Sequence, residues 1–170
     1  MRVFGFAGWS GSGKTSLIEA LIPRLVASGR VISLVKHAHH AFDVDRPGKD
    51  SHRHREAGSS EVLVSSATRW ALIHELRGAP ELTLDEAIGR LSVCDVVLVE
   101  GYKRAAIPKL EVWRETVGKP LLHPVDGNIV AVATDTPERL QTRLPVFDLN
   151  DIAGVATFVL NRAAAWRAID

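Results

Sequence analysis

Short apolar runs alternate along the chain with stretches in which apolar residues recur every three or four positions. The first pattern has the length of buried strands, and the second marks one face of a helix. Arg2 to Ala7 reads as the first strand. From Lys14 onward, Leu17, Ile18, Leu21, Ile22 and Leu25 share one helical face. Pro23 lies inside that pattern and is expected to kink or shorten the helix, because it offers no amide N–H. Gly29 is expected to close the helix in the left-handed conformation.

Val31 to Lys36 is the second strand, followed by a long polar stretch from His37 to about Gly58 with a short helix near Asp50 to Ala57. Two strand-like runs follow, Glu61 to Ser65 and Arg69 to Leu76. Thr83 to Leu91 reads as a helix, with Thr83 as its cap and Glu86 three residues on. Asp95 to Val99 has the continuous apolar character of a strand buried on both faces. Lys109 to Arg114 and Ile129 to Ala133 are further strands, Pro145 to Leu149 a short one, and Asp151 to Arg167 a closing helix. Strands alternating with helices predict an α/β fold with a mainly parallel twisted sheet flanked by helices. No repeat, low-complexity run or linker divides the sequence, so residues 1–170 read as a single domain.

Composition narrows the classes. A chain of 170 residues can bury a core without disulfides, and its one cysteine, Cys94, permits none within the chain. A formal net charge of +1 gives no global field for nucleic acid, so anion binding has to be local. The apolar runs fall far short of a membrane span, and the N-terminus lacks the pattern of a signal peptide. A cytoplasmic protein is the expectation.

The strongest chemical signal is Gly8-Trp9-Ser10-Gly11-Ser12-Gly13-Lys14-Thr15. It fits G-x-x-x-x-G-K-[ST] at every fixed position, between a predicted strand and a predicted helix. Glycines let successive backbone N–H groups turn inward around phosphate, and the helix N-terminus adds its free amides. Gly8, Ser10, Gly11, Ser12, Gly13, Lys14, Thr15 and Ser16 form the candidate phosphate segment. Lys14 is expected to reach the β- and γ-phosphates, and the Thr15 hydroxyl to ligate Mg²⁺. The chain therefore reads as a P-loop nucleotide-binding domain.

In a parallel sheet, ligands bind outside the carboxyl ends of the strands, so loops leaving other strands should face the same nucleotide. After the second strand come Asp43 and Asp45, either of which could touch Mg²⁺, or serve as a base. His37, His39 and His40 lie beside them; they suit an anion better than a transition metal, because no cysteine joins them. The basic stretch Arg46 to Arg55, with Lys49 and Arg53, could hold a second anionic ligand or supply an arginine to the triphosphate. Glu100 caps an apolar strand as a Walker B acid would, for Mg²⁺ or an attacking water. Asp95 lies five residues earlier, roughly 16 Å away in a strand, so both cannot reach one metal. Asp135, just after a late strand, could accept from guanine N1 and N2, or simply cap a turn. Cys94, Trp70, Trp113, Trp166, His74 and His123 are read as structural.

Three motifs together resemble the molybdopterin-guanine dinucleotide biosynthesis protein B (MobB) family. They are Gly8-x4-Gly-Lys-Thr, then Lys36-His37-x-His39-His40-x-Phe42-Asp43-x-Asp45-x-Pro47-Gly48-Lys49-Asp50-Ser51, then Val99-Glu100-Gly101-Tyr102-Lys103. The first is widespread, the second long and specific. The resemblance runs in register from Met1 to about Ala133. It implies a GTP-binding accessory protein of molybdenum cofactor maturation, homodimeric, acting beside the molybdopterin guanylyltransferase and hydrolysing GTP slowly. It gives Gly11, Gly13, Lys14, Thr15 and Ser16 to phosphate and Mg²⁺. It suggests the His37 to Ser51 segment for phosphate-proximal or molybdopterin contacts. A dimer could pair edge strands between Glu61 and Leu76, or near Lys109 to Arg114. The rivals are a small-molecule kinase, with Asp43 or Asp45 as base, and a structural subunit with a vestigial P-loop.

Overall fold

The computed structural model describes residues 1–38 and 42–166. In chain order its elements are β1 (Arg2–Ala7), α1 (Lys14–Ala27), β2 (Ile32–Lys36), α2 (Asp50–Glu56), β3 (Glu61–Ser65), β4 (Trp70–His74), α3 (Leu84–Gly89), β5 (Val96–Glu100), β6 (Lys109–Trp113), β7 (Ile129–Thr134), β8 (Val146–Asp148), α4 (Ile152–Arg162) and β9 (Ala164–Ala165). No helix among the described residues is long and apolar enough to cross a membrane. The chain divides into two units, Met1–His37 with Leu84–Asp170, and Ala38–Thr83. The sequence reads as one domain because neither crossing carries a linker or a shift in composition.

The larger unit is built on a sheet of order β2-β5-β1-β6-β7-β8, every neighbouring pair parallel, with β9 antiparallel to β1. Side chains on a strand alternate between the two faces. Phe4, Phe6, Val96 and Leu98 accordingly pack with Leu17, Leu21 and Leu25 of α1 and Val155 and Val159 of α4. Val3, Val97 and Val99 point the other way, into a smaller cluster with Ile88 of α3, Cys94 and the partly buried Trp166. Cys94 is buried and its Sγ lies 3.7 Å from the Met1 sulfur, the inert role expected of it.

Several elements depart from the sequence reading. Pro23 does not end α1, which continues to Ala27; it sits on an exposed face, where losing one helical bond leaves the buried stripe intact. Gly29 takes the expected left-handed φ of 79°. The closing helix stops at Arg162, five residues short of Arg167, because the chain turns back to pair Ala164 and Ala165 with Val3 and Arg2. Arg2 satisfies the carbonyls that this leaves open, donating Nε to Ala163 (2.9 Å) and Nη1 to Leu160 (2.6 Å). The Lys109 segment is no edge: β6 lies between β1 and β7, so it has no free side for a second copy.

β6 also carries two fully buried charges, which organise the loops above the sheet. Lys109, 1% exposed, pairs with Asp126 at 2.7 Å and donates to the carbonyls of Lys103 (2.7 Å) and Ala105 (3.0 Å). Burial pushes the Asp126 carboxyl up; bonds from Lys109 and Asn128 outweigh it and leave the group below its ordinary value. Glu111, 0% exposed, accepts from the backbone N–H of Leu122 (2.6 Å) and of His123 (2.9 Å), with the His123 ring Nδ1 at 3.3 Å. A buried charge is tolerated only when paired and hydrogen-bonded, and each of these ties a loop to the sheet.

The smaller unit holds the antiparallel pair β3-β4, in register from Glu61 opposite His74 to Ser65 opposite Trp70, with α2 against β3. Arg55 of α2 is its hub. Its guanidinium bonds Asp43 (2.8 and 2.9 Å) and Glu75 (2.6 Å), with Asp45 at 3.4 Å. One arginine thus gathers three carboxylates from both sides of the helix.

Replacing Glu111 by Leu strands two buried N–H groups. The variant is expected to lose about 3 kcal/mol of unfolding free energy, read from urea denaturation followed by tryptophan fluorescence.

Candidate nucleotide site

Because β1 lies between β5 and β6, the loop leaving it is flanked by the carboxyl ends of both neighbours. Residues 8–13 form that loop, and α1 starts at Lys14. Gly8 has φ of 144°, and a methyl group there would collide with the Val112 carbonyl and lie 2.8 Å from Ser12 Oγ. Gly13, with φ of 96°, turns the chain into the helix in the left-handed region. Gly8 needs glycine for both conformation and close approach, Gly13 for conformation.

Lys14 is already folded back into the loop, its Nζ donating to the carbonyls of Gly8 (3.0 Å) and Trp9 (2.8 Å). An ammonium has three hydrogens, so one is left for a ligand. Burial lowers the Lys14 pKa from its ordinary 10.5, against the pull of Glu100 and with help from Lys103 and Lys36. Thr15 follows on the first turn, and its hydroxyl donates to Glu100 Oε1 at 2.9 Å. Glu100, 7% exposed at the end of β5, also faces Lys36 Nζ at 3.5 Å. β2 leaves the sheet beside it, with His37 N–H on the Glu100 carbonyl at 2.8 Å. Asp95 stands at the other end of β5, accepting from the Val31 N–H (2.8 Å) and pairing with Arg30. Of the two carboxylates, only Glu100 lies beside the loop of residues 8–13.

The donor set fits the groups that the motif predicts. Gly11 opens onto free space, with no atom within 4 Å of where its Cβ would stand, and Ser12 Oγ is buried in the loop without a hydrogen-bond partner. A hydroxyl and a carboxylate oxygen already within 2.9 Å of each other are hard oxygen donors, the type that Mg²⁺ takes.

The loops after β1 and β6 hold one another. Trp9 Nε1 donates to the Pro120 carbonyl at 2.8 Å, and Lys103 Nζ lies 5.0 Å from the centre of its ring. Arg114, directly after β6, donates Nε to the Ser12 carbonyl (3.2 Å) and Nη1 to Asp135 Oδ2 (3.2 Å). Asp135 is therefore joined to the phosphate loop through one side chain. In the sequence Arg114 is the last residue of a predicted strand, at its carboxyl end, and that position is the signal for it.

The second-ligand candidates divide between the two units. His37 is in the larger one, its ring 5.0 Å from that of Tyr102. Lys49 caps α2 in the smaller one, and Arg53 stands 3.8 Å from Asp50. His39 and His40 lie outside the described residues, and no cluster of three or more His, Cys, Asp or Glu suited to a metal occurs among the described ones. Asp45 accepts from Ser51 Oγ (2.9 Å) and the Arg46 N–H (2.9 Å). Burial pushes its carboxyl up, but these bonds and Arg55 leave it below the ordinary value; the Arg55 bond does the same to Asp43. Both carboxylates are engaged by partners within the smaller unit.

A sequence profile described as MobB, molybdopterin guanine dinucleotide synthesis protein B, matches residues 3–135. The chain belongs to the MobB family. It is 43% identical over 161 residues to the molybdopterin-guanine dinucleotide biosynthesis adapter protein of Escherichia coli (strain K12), covering 93% of this chain and 91% of that protein. It is 42% identical over 160 residues to the adapter protein of the same name in Haemophilus influenzae, covering 94% and 88%. Among solved structures, a MobB crystal structure superposes with a TM-score of 0.72 at 26% identity, over 94% of this chain and 98% of that one. The fold of Bacillus subtilis MobB matches with a TM-score of 0.75 over 98% and 100% at 24% identity. The MobB-type motif Val99-Glu100-Gly101-Tyr102-Lys103 is thus the segment that brings Glu100 to Thr15.

A polyphosphate should restore the Lys14 proton that burial disfavours. Affinity for inorganic tripolyphosphate is expected to fall as pH rises toward 10.5, starting below that value, with proton uptake on binding in that window. Calorimetry in two buffers of different ionisation enthalpy measures the uptake, and Lys14→Met should abolish it.

Proposed function

We propose that this MobB-family chain is a GTP-binding accessory protein of molybdopterin-guanine dinucleotide biosynthesis that binds Mg²⁺-GTP and turns it over slowly. The observation that carries the nucleotide part is the loop at residues 8–15, closed around its own lysine, with Thr15 hydrogen-bonded to Glu100. Lys14 and the loop amides hold the phosphates. Thr15 and Glu100 hold Mg²⁺, which supplies charge neutralisation at the phosphates when bound. Asp135 reads guanine, whose N1–H and N2–H₂ suit a carboxylate, whereas adenine presents an acceptor at N1. Slow turnover fits what the described residues place near the loop. The only glutamine, Gln141, lies in the segment between β7 and β8, and Arg114 is committed to Ser12 and Asp135. Without an arginine finger, rates are lower by ~10³–10⁵-fold.

Titration calorimetry with GTP, ATP and Mg²⁺ tests this reading. Wild type is expected to bind Mg²⁺-GTP more tightly than Mg²⁺-ATP. Lys14→Ala should weaken both by about 100-fold, and Glu100→Gln should reduce the dependence on Mg²⁺. Equal binding by wild type and Lys14→Ala would refute the site.

The same reading places the protein in the cytoplasm, as a homodimer beside the molybdopterin guanylyltransferase. The dimer surface is the β3-β4 pair, whose strands are the two edges of their own sheet. Leu63, Trp70 and Leu72 fall on one face and are 61%, 66% and 45% exposed, an apolar stripe that a monomer would leave in water. The double variant Leu63→Glu/Leu72→Glu should sediment as a monomer at micromolar concentration while wild type sediments as a dimer.

A further inference from the structure

Asp135 stands on the turn after β7, its side chain one-third exposed. A short carboxylate on an exposed turn has several rotamers open to it, and a poorly aimed acceptor reads a base poorly. Arg114 removes that freedom. Its Nη1 holds Asp135 Oδ2 at 3.2 Å, while its Nε holds the carbonyl of Ser12 at the same distance. Ser12 is 1% exposed and lies inside the phosphate loop, so the anchored end is fixed. The guanidinium lies over Gly13, where a methyl group would touch Nε and Nη2 at ordinary contact distances of 3.4 and 3.5 Å; it is the φ of 96° that calls for glycine there. A planar fork can make both bonds at once, in directions that a lysine's single nitrogen cannot reproduce.

We infer that Arg114 is a specificity-positioning residue, a strut between the Ser12–Gly13 turn and Asp135 that sets where the base-reading carboxylate stands relative to the phosphates. This rests on the Mg²⁺-GTP reading above and goes beyond it in naming what makes the base selection work. Arg114 acts through Asp135 and takes no part in holding phosphate.

The test measures wild type, Arg114→Ala, Arg114→Lys and Asp135→Asn against Mg²⁺-GTP, Mg²⁺-ATP and inorganic tripolyphosphate, with circular dichroism melts to establish that each variant is folded. Both Arg114 variants should lose about tenfold or more of the GTP-over-ATP preference, match Asp135→Asn, and bind tripolyphosphate as wild type does. The double variant Arg114→Ala/Asp135→Asn should lose no more preference than either single change. Weakened tripolyphosphate binding by Arg114→Ala would overturn the inference in favour of a direct phosphate contact. Retained preference in a folded Arg114→Lys protein would overturn it alone and leave GTP binding standing. A wild type that binds tripolyphosphate but prefers neither nucleotide would overturn both the strut and the guanine reading.

Discussion

The candidate site of the larger unit depends on a half-buried ammonium group held by two backbone carbonyls. Lys14 sits on Gly8 and Trp9, and those bonds hold the loop curved. Burial works against the charged lysine there, and on the proposed reading a bound polyphosphate offsets it. The loop is thus preorganised: conformational freedom is given up on folding, so little of it has to be lost on binding.

The sheet order makes the loop a meeting point. β5 brings Glu100 to Thr15 on one side of β1, and β6 brings Arg114 to Ser12 on the other. Two buried charges on β6 then hold the loops that face this edge, Lys109 through the carbonyls of Lys103 and Ala105, Glu111 through the amides of Leu122 and His123. Pro120, next to that second anchor, holds the Trp9 indole. Buried ions are poor sources of stability, and apolar residues would serve a plain core as well. Here they fix position, which a binding edge needs more than it needs stability.

The alternation of apolar runs made the α/β class legible, and the glycine-lysine-threonine spacing made the phosphate loop legible, because both are local codes. Glu100 was readable too, from its place at the end of a buried strand. What escaped were relations between distant segments. Lys109 as the first residue of an interior strand follows from strand order, which periodicity does not carry. The early end of α4 follows from Arg2 and from the pairing of β9 with β1, some 160 residues away in sequence. Arg55 looked like part of a basic, anion-seeking stretch; in space it is matched by Asp43, Asp45 and Glu75. Charge runs describe composition, and only the fold shows which charges meet.

The central claim is that a ready-made seat for polyphosphate exists between Gly8 and Thr15. A crystal structure of the full chain grown with Mg²⁺ and a non-hydrolysable GTP analogue tests it most directly. The account predicts the phosphates inside the loop, Lys14 still on its two carbonyls, and the Thr15–Glu100 hydrogen bond replaced by metal contacts. A nucleotide bound elsewhere, or a loop that must unfold to admit it, would contradict the account.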